Sequence, residues 1–273
     1  MKLKKRLRKK NVNNVNNFVN KIYCEDCRKT MEHLPENSVD LILTSPPYNT
    51  SRNIRNERAL KENEGRYKEY NDAQNNEDYI NFLIQDVFNQ GYNKILKPNG
   101  VILLNLSYGS ENPGVMFELI YNISSRTCFM VADVICWKKS NALPNNTSPN
   151  KLTRICEFVF VICRQDEYKT YQTNKQITKV SKVGQKYYSS IYNFVEAKNN
   201  DGTCKLNKAT FSTDFVKSLL EMYAKANKDF IVYDSFNGTG TTSVACKKYG
   251  CSYIGSELSK EQCEFAERRL EEC

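Results

Sequence analysis

Four consecutive residues, Ser45-Pro46-Pro47-Tyr48, put a hydroxyl, two rigid carbonyls and a phenol ring within one turn. Adjacent prolines fix φ and remove backbone donors, so the turn is stiff, rich in acceptors and holds a side chain at each end. Such a set can grip a planar ring bearing an exocyclic amine: the hydroxyl and the Pro46 carbonyl accept its N–H bonds while Tyr48 stacks on the ring face. The ordinary alternative is a Pro-Pro strand terminator beside a packed tyrosine. A second stretch runs from Phe230 through Asp234, Ser235, Phe236, Asn237, Gly238, Thr239 and Gly240 to Thr241 and Thr242, and reads as strand, glycine-rich turn and helix start. Gly238 and Gly240 permit a tight turn and close approach of a ligand to the backbone, and the helix start offers N–H groups. Glu257 follows the next apolar run, where a carboxylate can accept both hydroxyls of a ribose. There is no third glycine in dinucleotide spacing and no Gly-Lys-Ser/Thr loop, which weighs against NAD and ATP.

Positioning these residues requires strands ahead of both turns. Seven short apolar runs read as strands: Lys21–Cys24, Val39–Leu43, Val101–Leu106, Phe129–Trp137, Glu157–Cys163, Phe230–Tyr233 and Ser252–Ile254. Several are continuous rather than alternating, as in a parallel sheet covered on both faces. Helical spacing falls between them, at Asp78–Ile95, Asp214–Ala226, Thr241–Lys248 and Lys260–Leu270. The expected fold class is therefore α/β: a doubly wound, mostly parallel, seven-stranded Rossmann-like sheet, with the ligand crevice at the carboxyl ends of its strands. Residues 1–20 read as a basic, low-complexity, disordered arm and residues 21–273 as one domain. Within it, 49–76 reads as a long mobile loop, and the basic stretch 165–208, without a strong period, as an inserted lobe.

Taken together the two turns resemble the β class of amino-directed DNA methyltransferases, in which the catalytic motif precedes the cofactor motif, as Ser45–Tyr48 here precedes Phe236–Gly240. The resemblance extends over nearly all of residues 21–272, through Ile22–Cys27, Leu34–Asp40, the turn Leu96–Gly100 and the strand end Tyr253–Leu258. It implies S-adenosyl-L-methionine as cofactor and duplex DNA as substrate, with base flipping and direct methyl transfer. In its terms Ser45, Pro46, Pro47 and Tyr48 form the catalytic turn. Asp234, Phe236, Gly238, Gly240 and Thr241 line the methionine end of the cofactor, Glu257 holds the ribose, and Asp26 with Cys27 flanks the adenine. Phe211 matches the family's amino-terminal cofactor segment, although the His and both Pro of the usual His-Pro-x-x-Phe-Pro are absent. Serine before the prolines resembles the cytosine-N4 enzymes; adenine-N6 transfer stays open, as do a catalytically silent binding module and an RNA-directed enzyme. The stretch 165–208 would be the target-recognition segment, with Lys169, Lys175, Lys179, Lys182 and Lys186 on phosphates. Arg52, Arg55 and Arg58 of the first loop are further phosphate candidates, and Trp137 is a second stacking candidate beside its ordinary reading as a core aromatic.

Composition bounds the rest. With 40% hydrophobic and 26% charged residues, the chain can bury a substantial core. Net charge is +9, and its distribution is uneven: Met1–Lys10 holds seven basic residues and no acid, while 138–217 holds 14 basic against 6 acidic. Such concentration points to a polyanionic partner. No apolar run approaches the ~18 residues of a membrane span, and no signal-peptide pattern opens the chain, so the expectation is a cytoplasmic protein, monomer or homodimer, with no membrane partner. A cognate restriction endonuclease is a further partner that the resemblance implies. Eleven scattered cysteines read as reduced thiols. Cys24-Glu25-Asp26-Cys27 has metal-like spacing but lacks a second close pair, so no metal is expected.

Overall fold

The computed structural model describes residues 14–49, 69–71, 74–109, 112–146, 148–202 and 210–273. Arg52, Arg55, Arg58 and most of the expected mobile loop lie outside them. The elements follow the chain as β1 (Lys21–Cys24), α1 (Cys27–His33) and β2 (Val39–Thr44), then α2 over 76–95, β3 (Leu96–Leu106), α3 (Val115–Arg126), β4 (Phe129–Lys139) and β5 (Cys156–Arg164). After these come β6 (Ile177–Val180), β7 (Lys186–Tyr188), β8 (Phe194–Ala197), α4 (Thr213–Tyr223), β9 (Ile231–Asp234), α5 (Thr241–Tyr249), β10 (Ser252–Glu257) and α6 (Lys260–Glu271). Helix α2 is composite: Asn76–Asn81 is α-helical, Phe82–Tyr92 is wound as a π-helix, and Asn93–Ile95 closes it.

The main sheet has eight strands in the order β1-β10-β9-β2-β3-β5-β4-β8. Only β5 runs antiparallel to its neighbours. The expected count of seven is corrected by β8, which pairs in parallel with β4, Cys136 opposite Phe194 and Lys139 opposite Ala197. Phe194-Val195-Glu196-Ala197 buries only alternate residues, too short a pattern to stand out within a polar segment.

The apolar runs serve two cores. In β2, Ile42 faces one hydrophobic cluster with α1, α2 and α3, whereas Leu41 and Leu43 face another with α4 and α5. In β3, Ile102 and Leu104 face the first and Val101 and Leu103 the second. A strand buried on both faces must be apolar at every position, which is why these segments do not alternate. Helix α4 follows from its spacing, with Phe215, Val216, Leu219 and Leu220 buried and Ser212 capping its first turn through Phe215 N. Trp137 is 1% exposed and stacks on Phe215 with ring centroids 4.0 Å apart. It is a core aromatic, so its second role as a base-stacking candidate is set aside.

Two further expectations change. Residues 14–20 are ordered: Val15–Asn17 forms a 3-10 turn, and Val15, Phe18 and Val19 pack against the core. The described part of the expected lobe, 165–202, is not one body. Arg164 donates to the Leu96 and Lys97 carbonyls at the amino end of β3, and Asn174 Nδ2 donates to the Glu221 carbonyl at the carboxyl end of α4. Residues 165–174 thus run along the end of the sheet away from the carboxyl ends of β2 and β9. The exposed hairpin β6–β7 follows, and β8 then climbs back along the sheet edge. Among the described residues no helix is long and apolar enough to cross a membrane.

Candidate active site

Strands β2 and β9 are neighbours, Leu41 opposite Val232 and Ile42 opposite Tyr233. From them the chain winds in opposite directions, β2 towards β3 and β9 towards β10 and β1. This is a topological switch point, where the loops leaving two adjacent strands part and open a crevice. The Ser45–Tyr48 turn leaves β2 there, and the glycine-rich turn leaves β9. Both line one cavity of about 480 Å³.

The two turns are tied beneath the crevice. Asp234, fully buried, accepts from Thr44 Oγ1 at 2.7 Å, Thr242 Oγ1 at 2.6 Å and Phe236 N at 3.1 Å. Burial raises its pKa, against the lowering by these hydrogen bonds. Asp234 therefore braces the turns from below and is not among the residues lining the cavity, unlike its expected place at the methionine end. Gly240 is also outside the lining. Its φ is +80°, and an added Cβ would lie 2.6 Å from Ala266 Cβ, so glycine is required by both its conformation and the approach of α6. Phe236, Gly238 and Thr241 do line the cavity, as does Phe211.

On the Ser45–Tyr48 turn, Ser45 Oγ donates to Tyr48 Oη at 2.8 Å. Tyr79 Oη of α2 donates to the Pro47 carbonyl at 2.7 Å, so this carbonyl is already engaged in holding the turn. Ser45, Pro46, Pro47 and Tyr48 all face the cavity. Behind Tyr48 stands a network that sequence reasoning missed. Asn105 Nδ2 donates to Tyr48 Oη and to Glu157 Oε2, each at 2.9 Å, and Lys139 Nζ bonds Glu157 Oε1 at 2.5 Å. Asn105 and Glu157 are 2% and 9% exposed. A polar asparagine inside the apolar run Val101–Leu106, and an acid at the head of β5, were the available signals; only sheet pairing brings them together.

The opposite wall carries the remaining predicted residues. Glu257, at the end of β10, accepts from Gly238 N at 2.8 Å and Ser259 N at 2.9 Å. Burial raises its pKa, partly offset by those two N–H groups. Asp26 caps α1 through Arg28 N and is held by the Arg28 guanidinium, Nε at 3.0 Å and Nη2 at 2.8 Å. Burial pushes the Asp26 pKa up, the Arg28 hydrogen bonds and charge pull it down, and the net shift is downward. Burial pushes the Cys27 thiol up to about 12, so it meets the cavity as a neutral, apolar wall. Cys24, by contrast, is exposed.

A rigid acceptor-bearing turn with an aromatic ring thus faces a glycine turn and a carboxylate across one crevice. A family model described as DNA methylase matches residues 39–268. The type II methyltransferase M.HinfI of Haemophilus influenzae is 26% identical over 95% of this chain and 70% of its own. M.HpaI of Haemophilus parainfluenzae is 26% identical over 92% and 74%. Among solved structures, the PvuII DNA methyltransferase, described as cytosine-N4-specific, superposes with a TM-score of 0.66 at 19% identity, over 91% of this chain and 85% of that one. M1.HpyAVI, solved as a complex with S-adenosylmethionine, gives 0.58 at 20% identity over 92% and 98%. On the extent of the family match, the chain belongs to the N6/N4 DNA methylase family.

Proposed function

We propose that this enzyme transfers a methyl group from S-adenosyl-L-methionine to the exocyclic N4 amine of cytosine at specific sites in duplex DNA, as the modification half of a restriction–modification system or as a solitary methylase. The observation that carries the reading is the convergence of the Ser45–Tyr48 turn and the Phe236–Thr241 turn on one crevice at the β2/β9 switch point. The lining suits the cofactor. Glu257 presents carboxylate oxygens for ribose hydroxyls, and Phe236 with Phe211 supplies apolar surface. Asn237 is buried, its Oδ1 accepts from Ser243 Oγ, and its Nδ2 has no partner among the described residues, a donor suited to a carboxylate. The cofactor supplies a methyl on a positively charged sulfur, which needs an aligned lone pair and little else.

A cytosine amine is conjugated into its ring and is a poor nucleophile. Ser45 Oγ and the Pro46 carbonyl would accept its N–H bonds and hold the nitrogen lone pair towards the cofactor. Tyr48 would stack on the extruded ring, its hydroxyl fixed by Ser45 and Asn105. Catalysis is then positioning and electrostatics, with no covalent bond to the base. Extruding the base costs a few kcal/mol of stacking and pairing, which binding must supply. Serine before the prolines supports cytosine over adenine. The deciding experiment is mass spectrometry of nucleosides from plasmid DNA incubated with the enzyme and labelled cofactor. N4-methylcytosine is the expected product. N6-methyladenine would reverse the base assignment while keeping the cofactor site, and no labelled base at all would reject DNA methylation.

A further inference from the structure

The loop between β4 and β5 has no part in the site described above, yet it leaves the sheet at the same end. Thr44 pairs with Leu104 in the parallel β2–β3 ladder, and Leu106 pairs with Phe158 in the antiparallel β3–β5 ladder. The head of β5 and the tail of β4 therefore lie at the level of the Ser45–Tyr48 turn. Lys139 and Glu157, at the two feet of the loop, are the same pair that backs Asn105 and Tyr48.

The loop is braced rather than limp. Lys139 N donates to the Ile155 carbonyl at 2.7 Å and Ser140 N to the Ala197 carbonyl at 3.0 Å. Further out, Asn145 N donates to Thr153 Oγ1 at 2.9 Å and Asn145 Nδ2 to the Lys151 carbonyl at 3.1 Å. Arg154 donates to the Tyr108 carbonyl and lies over the Tyr108 ring. On this cross-linked frame stand two leucines in water: Leu143 is 89% exposed and Leu152 88%. Single exposed apolar residues are ordinary. Here two stand on one polar loop, at the end of the sheet from which the Ser45–Tyr48 turn also leaves, although the loop does not itself line the cavity. The partner chemistry follows from charge, because residues 138–156 contain Lys138, Lys139, Lys151 and Arg154 and no acid.

We propose that Leu143 and Leu152 form a wedge that enters the duplex beside the target and fills the gap left in the stack by the extruded base. An apolar side chain suits that gap, since it replaces base–base contact without seeking hydrogen bonds, and apolar wedges between base steps are an established way for proteins to unstack DNA. This inference rests on the reading of the chain as a duplex-DNA methyltransferase.

The test begins by locating the site that the wild-type enzyme methylates in plasmid DNA. Two duplexes containing it are then compared, one fully paired and one with an abasic position opposite the target, where extrusion costs less. Relative to wild type, L143A/L152A should lose about tenfold or more in kcat/KM on the paired duplex and recover to within about threefold on the abasic one. Unchanged cofactor affinity and thermal unfolding would show that the frame persists. No loss on the paired duplex, or an equal loss on both, overturns the wedge while leaving the methyltransferase reading intact. A wild-type enzyme that labels no DNA removes that reading and the wedge with it.

Discussion

Glu257 shows how one residue can both hold a turn and line a cavity. Its carboxylate closes the glycine turn through Gly238 N and caps the start of the next segment through Ser259 N, yet it faces the cavity. Burial raises its pKa above the ordinary 4.5. For an acid, a raised value in the folded state means that the folded chain binds the proton more tightly than the unfolded one. Its contribution to stability is therefore complete below the unfolded value and is lost as pH rises through the folded one. In the proposed ribose role, cofactor binding would run the other way, because the ionised carboxylate is the stronger acceptor for hydroxyls. Calorimetric titration with S-adenosylmethionine should show affinity falling as pH drops from neutral towards the raised pKa, before an exposed glutamate would protonate. Glu257→Gln should bind about tenfold more weakly at neutral pH and lose this dependence. A flat wild-type profile would remove Glu257 from the ribose site.

Among the elements, α6 acts as a clasp. Arg269 in its last turn donates to the Thr239 carbonyl at 2.8 Å and to Thr241 Oγ1 at 3.1 Å, and pairs with Asp201 Oδ2 at 3.0 Å. Asp201 Oδ1 in turn accepts from Thr213 N at the start of α4. One guanidinium thus fastens the glycine turn to the helix that follows Phe211. Arg269→Ala should cost about 1–3 kcal/mol, since it strands Asp201 and frees the turn. Thermal unfolding should fall by several degrees, with weaker cofactor binding measured alongside. Arg269→Lys should recover only part, because an ammonium lacks the planar fork. An unchanged midpoint in Arg269→Ala would assign the turn's order to Asp234 and Gly240 alone. Other elements differed in how openly the sequence announced them. The two-sided burial of β2, β3 and β5 made continuous apolar runs, which read directly as strands. Helix α3 carries its spacing in Val115, Leu119 and Ile123. Strand β8 has almost none, because it is an edge strand of four residues whose pairing with β4 is decided across 58 positions of chain, Cys136 to Phe194.

For the whole molecule, charge placement matters more than total charge. If Met1–Lys10, with seven basic residues, meets phosphates, deleting it should make DNA affinity less steeply dependent on salt, since each phosphate contact contributes a slope of about 0.9 in log K against log salt. Binding isotherms at several salt concentrations measure this, and an unchanged slope would assign the electrostatic contacts to residues 138–217. Within that segment the tertiary structure redistributes the basic residues. Lys169 lies in the run along the far end of the sheet, and Lys179 and Lys186 stand on the exposed hairpin β6–β7, whereas the loop bearing Lys151 leaves the sheet at the cavity end. The local residues by themselves determined the two turns, the strands that precede them and the order in which they come, because Pro-Pro stiffness, glycine conformation and two-sided apolar burial are properties of contiguous chain. Only the tertiary structure decided that Asn105, Glu157 and Lys139 would stand behind Tyr48, that Asp234 would brace rather than line the crevice, and that the basic segment would divide between opposite ends of the sheet. Those outcomes depend on which strands become neighbours and in which direction they run, and that is settled by packing between residues far apart in sequence.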